Sequence, residues 1–102
     1  MIQAEFKKDS EGNYNYLKIE GHSPKSLGVK GENLLCAAVS SLTQSLFLYL
    51  KKGQKLESFE IKEGFLELRL KSRSKEQEVF LMVIVGLQDL QSQFKENLEL
   101  KI

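Results

Sequence analysis

The apolar residues of this chain alternate between two spacings, and this limits the folds it can adopt. Near the N-terminus they stand at every second position, which is typical of strands with one buried face. They then follow helical spacing over about four turns, and the same succession occurs a second time. The predicted order of elements is therefore β-β-α-β-β-α, and a further short strand can follow at the C-terminus.

The first half of the chain predicts a hairpin and a long helix. Ile2, Ala4 and Phe6 share one face of the first strand, and Asn15, Leu17 and Ile19 can share one face of the second. The residues from Asp9 to Asn13 are turn formers, so we expect these strands to pair as a hairpin. The helical stripe consists of Leu35, Val39, Leu42, Leu46 and Leu50. This helix is expected to run to about Lys52 and to end at Gly53.

The second half repeats the pattern. Alternating residues around Phe59–Ile61 and Leu66–Leu70 flank Glu63-Gly64 and predict a second hairpin. The second helical stripe consists of Val79, Val83, Leu87, Leu90 and Phe94. Ser74 and Gln77 have the spacing of a capping box for this helix. Leu98, Leu100 and Ile102 alternate again and predict the short C-terminal strand.

These elements predict an α+β fold with a largely antiparallel sheet and two helices in a single domain, residues 1–102. If both helices pack on one face of the sheet, its other face needs cover. Tyr14, Tyr16 and Phe65 could form an apolar patch there, which a dimer would bury. The alternative is that these aromatic side chains are simply half exposed.

Composition narrows the function. The chain carries 15 Lys and Arg residues against 14 Asp and Glu residues, so it lacks the basic field of a non-specific nucleic-acid binder, and no direct nucleic-acid binding is expected. One cysteine and one histidine exclude an internal disulfide and a structural zinc site, and we expect no metal or cofactor. The N-terminus does not resemble a signal peptide, and the segment 34–50 is too polar for a membrane span. We expect a cytoplasmic protein.

Cys36 and His22 are the residues best placed for chemistry. If Asn33 caps the first helix, Cys36 is its third residue, where the positive end of the helix dipole favours a thiolate. His22 follows the second strand, and the intervening loop could bring its imidazole beside the sulfur as a general base and acid. On composition alone, however, a single cysteine among small apolar residues is more often a packing residue. Motifs of other hydrolases and nucleotide-binding proteins are absent.

The segments Gly21-His22 and Gly31-Glu32-Asn33-Leu34-Leu35-Cys36-Ala37-Ala38-Val39-Ser40 resemble the signature of the ribosomal-processing cysteine protease family (Prp, YsxB-like). The resemblance implies a homodimer that removes the N-terminal extension of large-subunit ribosomal protein twenty-seven. It further implies that Cys36 is the nucleophile and His22 the general base, and that Ser40 matches a small hydroxyl residue of the motif.

Several positions near this pair carry further expectations. Asn33 stands where the family usually has an aspartate, so it can cap the helix but brings no negative charge. Gly21, Gly28 and Gly31 are expected to serve a substrate-binding loop that closes over an extended peptide. Two other functions remain open from the sequence: a non-catalytic dimeric module that binds the ribosome or its assembly factors, and a small RNA-binding domain.

Overall fold

A computed structural model describes residues 1–21, 34–72, 74 and 76–102. The elements in this part of the chain are β1 (Ile2–Lys8), β2 (Tyr14–Gly21), α1 (Leu34–Lys52), β3 (Leu56–Lys62), β4 (Phe65–Leu70), α2 (Gln77–Gln93) and β5 (Leu98–Lys101). The predicted order, including the short C-terminal strand, is confirmed. So is the α+β fold class, because strand pairs and helices alternate around one sheet.

The five strands form one sheet in the order β3-β4-β2-β1-β5. All neighbours are antiparallel except β1 and β5, which are parallel. The register aligns Phe59, Leu68, Leu17 and Phe6 across four strands on one face. Phe47 of α1 contacts Phe59, and Phe80 of α2 contacts Phe6. Both helices therefore pack on the same face, α1 above β3 and α2 above β1.

The core fills the layer between the sheet and the helices. Its largest fully buried side chains are Phe80, Leu17, Leu35, Leu50, Leu68, Leu87, Leu98 and Val83. The helices are in close contact at Gly86, where an added Cβ would lie 2.9 Å from Leu42 Cδ1. By length and composition α1 could also cross a membrane, but a core helix shares these properties. Four residues of its apolar stripe, Leu35, Val39, Leu46 and Leu50, are buried here.

α1 ends at Lys52, as the sequence predicts, but Gly53 is not the left-handed residue of its C-terminal cap. Gln54, not Gly53, has the left-handed conformation, with φ of +57°. The Gln54 N–H donates to the Lys51 carbonyl at 3.0 Å, and the Lys55 N–H donates to the Leu50 carbonyl at 2.9 Å. This pair of hydrogen bonds is the Schellman motif, in which glycine is the usual left-handed residue.

The predicted capping box at the start of α2 is wrong. Glu76 precedes the helix and makes no side-chain capping hydrogen bond. Gln77 binds the backbone of Tyr14 instead: its Oε1 accepts from the Tyr14 N–H at 2.7 Å, and its Nε2 donates to the Tyr14 carbonyl at 2.8 Å. A long-range pair of hydrogen bonds thus replaces the local one, and it fixes α2 to the beginning of β2.

The sheet face opposite the helices is charged, so the expected patch of Tyr14, Tyr16 and Phe65 does not form. A register shift between Lys7 and Lys8 turns Tyr14 to the helix side, where it stacks on Phe80. Phe65 is half-buried beneath the Lys62 ammonium group. Tyr16 does lie on the outer face, but it is covered by charged side chains of that same face.

Tyr16 is the centre of this charged face. Its ring lies between Lys7 and Arg69, whose Nζ and Cζ atoms are each 4.8 Å from the ring centroid. Its hydroxyl donates a hydrogen bond to the Glu67 carboxylate. Burial, followed by this hydrogen bond and the negative charge of Glu67, raises the pKa of Tyr16 to about 12. Contacts within the sheet therefore cover the aromatic ring without a partner molecule.

Candidate active site

Cys36 is the third residue of α1, as predicted, because the helix begins at Leu34. The side chain is half-buried and packs against the edge of the core. Acidic residues are absent from the first turn, so no carboxylate in that turn offsets the positive end of the helix dipole. The N–H groups of the first turn, including that of Cys36, point toward the N-terminal end of the helix. A helix N-terminus suits a nucleophile that generates an anionic intermediate, because its partial positive charge stabilises the anion.

Ser40 lies one helical turn after Cys36 and is exposed. At 3.6 residues per turn the two side chains point within about 40° of each other. Ser40 is therefore on the side of α1 from which a substrate could approach the sulfur. Which group its hydroxyl binds during a reaction stays a prediction.

Gly21 ends β2 and has a backbone role that the sequence did not reveal. Its φ is +100°, and an added Cβ would lie 2.2 Å from the Met1 carbonyl oxygen. Its N–H donates to the carbonyl of Gly64 at 3.0 Å. Gly21 thus lets the chain leave the sheet between the start of β1 and the β3–β4 turn. Its use in a substrate-binding loop stays a prediction.

The start of α1 and Gly21 lie at one end of the sheet, which we call the Gly21 end. α1 is connected to β3 by the three residues 53–55, and Leu56 pairs with Leu70, at the opposite end of the sheet from Gly21. α1 is 19 residues long, about 28 Å, so its first turn returns to the Gly21 end. The thiol of Cys36 and the exit of β2 toward His22 are therefore on the same end of the molecule.

His22, Gly28, Gly31 and Asn33 lie outside the described residues. The predicted pairing of His22 with Cys36, the cap at Asn33 and the two loop glycines therefore stay predictions. Within the described ranges, no group of three or more His, Cys, Asp and Glu side chains could hold a metal ion. The chemistry that this end of the molecule offers is that of a thiol at a helix N-terminus.

Comparisons with known proteins point to one family. A family model described as cysteine protease Prp matches residues 1–99. A search of curated proteins finds no match. Among solved structures, the essential ribosomal processing protease Prp of S. aureus, in complex with a covalently linked product peptide, superposes with a TM-score of 0.83 at 19% identity. That alignment covers 99% of this chain and 98% of the other.

Two further structures are similar. The S. aureus protease in complex with a substrate peptide gives a TM-score of 0.80 at 18% identity, over 99% of this chain and 98% of that chain. SMU.848 of Streptococcus mutans gives a TM-score of 0.79 at 27% identity, over 100% of this chain and 93% of the other. These likenesses extend over the whole fold, including the C-terminal strand.

Proposed function

The chain belongs to the cysteine protease Prp family, and from this membership we propose that it is a cytoplasmic endopeptidase that matures a ribosomal protein. The substrate we propose is the N-terminal extension of large-subunit ribosomal protein twenty-seven. The observation that carries the proposal is the position of Cys36 in the first turn of α1, at the end of the sheet where β2 leads to His22. The two S. aureus complexes support a peptide substrate.

In the proposed mechanism, the Cys36 thiolate attacks the carbonyl carbon of the scissile peptide bond. The oxyanion accepts hydrogen bonds from backbone N–H groups at the start of α1, which point toward the N-terminal end of the helix. His22, holding the thiol proton, donates it to the leaving amine as the C–N bond breaks, and a thioester remains on the sulfur. His22 then removes a proton from water, which attacks the thioester and releases the acid product and the thiolate.

The other predicted site residues have supporting roles in this proposal. Asn33 caps α1 and so fixes the amides that bind the oxyanion. Ser40, on the approach side of Cys36, hydrogen-bonds the substrate backbone. Gly28 and Gly31 allow the loop between His22 and α1 to close over the extended peptide and exclude water.

We further propose that the protein acts as a homodimer. Large apolar side chains are exposed on the outer faces of both helices, namely Leu48, Tyr49, Leu81, Met82 and Val85. The opposite sheet face is charged and carries its own ion pairs, such as Lys18 with Glu5. The exposed apolar surface is therefore on the helix side of the molecule, and this favours a dimer interface formed by the helices. Light scattering at micromolar concentration is expected to give twice the mass of one chain, and a monomer would contradict this part of the proposal.

The deciding experiment incubates the extended ribosomal protein with wild-type protein, Cys36→Ala, His22→Ala and the matched control Ser45→Ala, whose side chain is exposed on α1. Wild type and Ser45→Ala are expected to remove the extension at one site, read by mass spectrometry. Both active-site variants are expected to lose at least about 10³-fold in rate. Cleavage by all four proteins, or by none, overturns the proposal. Binding without cleavage by the wild type would favour the non-catalytic module.

A further inference from the structure

The outer edge of β3 is open in the part of the chain that the structure describes. β3 is the last strand on its side of the sheet, and its residues from Glu57 to Lys62 are all exposed. On this edge no described strand takes up the backbone N–H and C=O groups. Such an edge can hydrogen-bond an extended peptide as an additional strand.

Two apolar side chains lie along this edge, two residues apart and on the same face of β3. Phe59 and Ile61 are 49% and 43% exposed, and both lie on the helix side of the sheet. The Phe59 ring packs edge to face on Phe47 of α1, with centroids 5.0 Å apart. The Lys51 ammonium lies 5.5 Å from the Phe59 centroid. Phe59, Ile61 and Phe47 together form an apolar step between the strand edge and α1.

α1, which contributes Phe47 to this apolar step, also carries Cys36, nearer its N-terminus. Cys36 and Phe47 are eleven residues apart, which places their side chains within about 20° of each other around α1. Ser40 lies between them on nearly the same side. Along the axis Cys36 and Phe47 are about 16 Å apart, and the short 53–55 connection makes α1 and β3 antiparallel. A peptide that extends along the edge of β3 would therefore lie beside the face of α1 that carries the Cys36 thiol.

We propose that the free edge of β3 binds the substrate polypeptide as an added strand, with one apolar substrate side chain seated on Phe59 and Ile61. The proposal rests on the proposed function, because it extends the same site. An extended chain rises about 3.3 Å per residue, so about five residues span the 16 Å to Cys36. The apolar residue should thus stand about five positions from the scissile bond.

The peptide itself provides the first test. A series of peptides that moves one leucine along an otherwise polar sequence is expected to show the lowest KM when the leucine is about five residues from the cleaved bond. N-methylation of single backbone amides near that leucine should raise KM at every second position, because alternate N–H groups face the neighbouring strand. A KM that does not depend on leucine position, or an effect of N-methylation without the period of two, overturns the proposal.

Variants of the protein provide the second test. Ile61→Thr keeps a β-branched residue and is expected to raise KM about tenfold with kcat within about twofold of wild type. Ile102→Thr is the matched control, because Ile102 is 55% exposed and follows the last strand, at the opposite end of the sheet from Gly21, and its KM should not change. An unchanged KM for Ile61→Thr overturns the proposal. If Ile61→Thr dissociates a dimer and leaves KM unchanged, the proposal is also overturned, because the β3 edge would then join two copies of the chain.

Direct binding separates this proposal from the proposed function. Fluorescence anisotropy with overlapping labelled peptides from the N-terminal part of ribosomal protein twenty-seven uses Cys36→Ala protein, so no cleavage is needed. We expect at least one peptide to bind, and Ile61→Thr in the Cys36→Ala background should weaken it about tenfold. Binding of this kind beside a wild type that does not cleave refutes only the proteolytic function. The absence of binding, or binding that Ile61→Thr leaves unchanged, refutes the β3 site.

Discussion

Gly21→Ala is expected to destabilise the fold far more than an ordinary glycine substitution. The left-handed φ of +100° costs an alanine about 1–2 kcal/mol. The new Cβ would also lie 2.2 Å from the Met1 carbonyl oxygen, a distance that folded proteins do not tolerate, so the start of β1 must move away from β2. Displacing two hydrogen-bonded strands adds about 2 kcal/mol, and the total loss of unfolding free energy should be about 3–4 kcal/mol.

Gly12→Ala is the matched control. Gly12 has a similar φ of +83°, but an added Cβ would meet nothing within 4 Å. Its cost should therefore be the conformational penalty alone, about 1–2 kcal/mol. Urea unfolding of both variants, followed by circular dichroism, measures the difference directly. If Gly21→Ala loses no more stability than Gly12→Ala, the close approach of Met1 to Gly21 does not constrain the fold.

Three further substitutions test interactions away from the active site. Tyr16→Phe should cost about 1–2 kcal/mol near pH 7 through the lost hydrogen bond to Glu67. Because the Tyr16 pKa rises from 10.0 to about 12 on folding, this tyrosine's stabilising contribution is complete below pH 10 and is lost between pH 10 and 12, so unfolding free energies of wild type and variant should converge there. Gln77→Ala should cost about 2 kcal/mol in urea unfolding, because two backbone groups of Tyr14 lose their partner, and a loss under 0.5 kcal/mol would contradict this. Gln54→Gly should raise the melting temperature, since glycine removes about 1 kcal/mol of left-handed strain, and a lower value would contradict the assigned cap.

The order of elements could be predicted because burial of one face imposes a period on each strand and helix. Interruptions of that period could not. The register shift beside Lys8 is a backbone irregularity with no residue signature. It places Tyr14 on the helix side, packed against the core, instead of on the predicted outer face. Gln77 has the spacing of a capping residue, but a partner 63 residues away, Tyr14, binds it instead. A local sequence pattern cannot show that a residue distant in the chain competes for the hydrogen bonds of the same side chain.

For the active site, the sequence predicted the position of Cys36 correctly because a helix start can be read from spacing and capping residues. The role of Gly21 was less accessible, since its neighbour, the Met1 carbonyl, is contributed by another strand. The apolar step at Phe59 and Ile61 was also missed. Both residues fit the alternation of a half-buried strand. Only the sheet order shows that β3 is an edge strand, which the helices cover incompletely.

The parallel pairing of β1 with β5 has a consequence for the order in which the chain can fold during synthesis. β1 can pair with β2 as soon as the first hairpin is made, but its other edge is completed by residues 98–101. The Ile2 N–H donates to the Asn97 carbonyl at 2.9 Å, next to the Gly21 end. The end of the sheet that carries Gly21 is therefore assembled only after nearly all of the sequence has left the ribosome. A partly synthesised chain would contain Cys36 without the complete sheet that supports it.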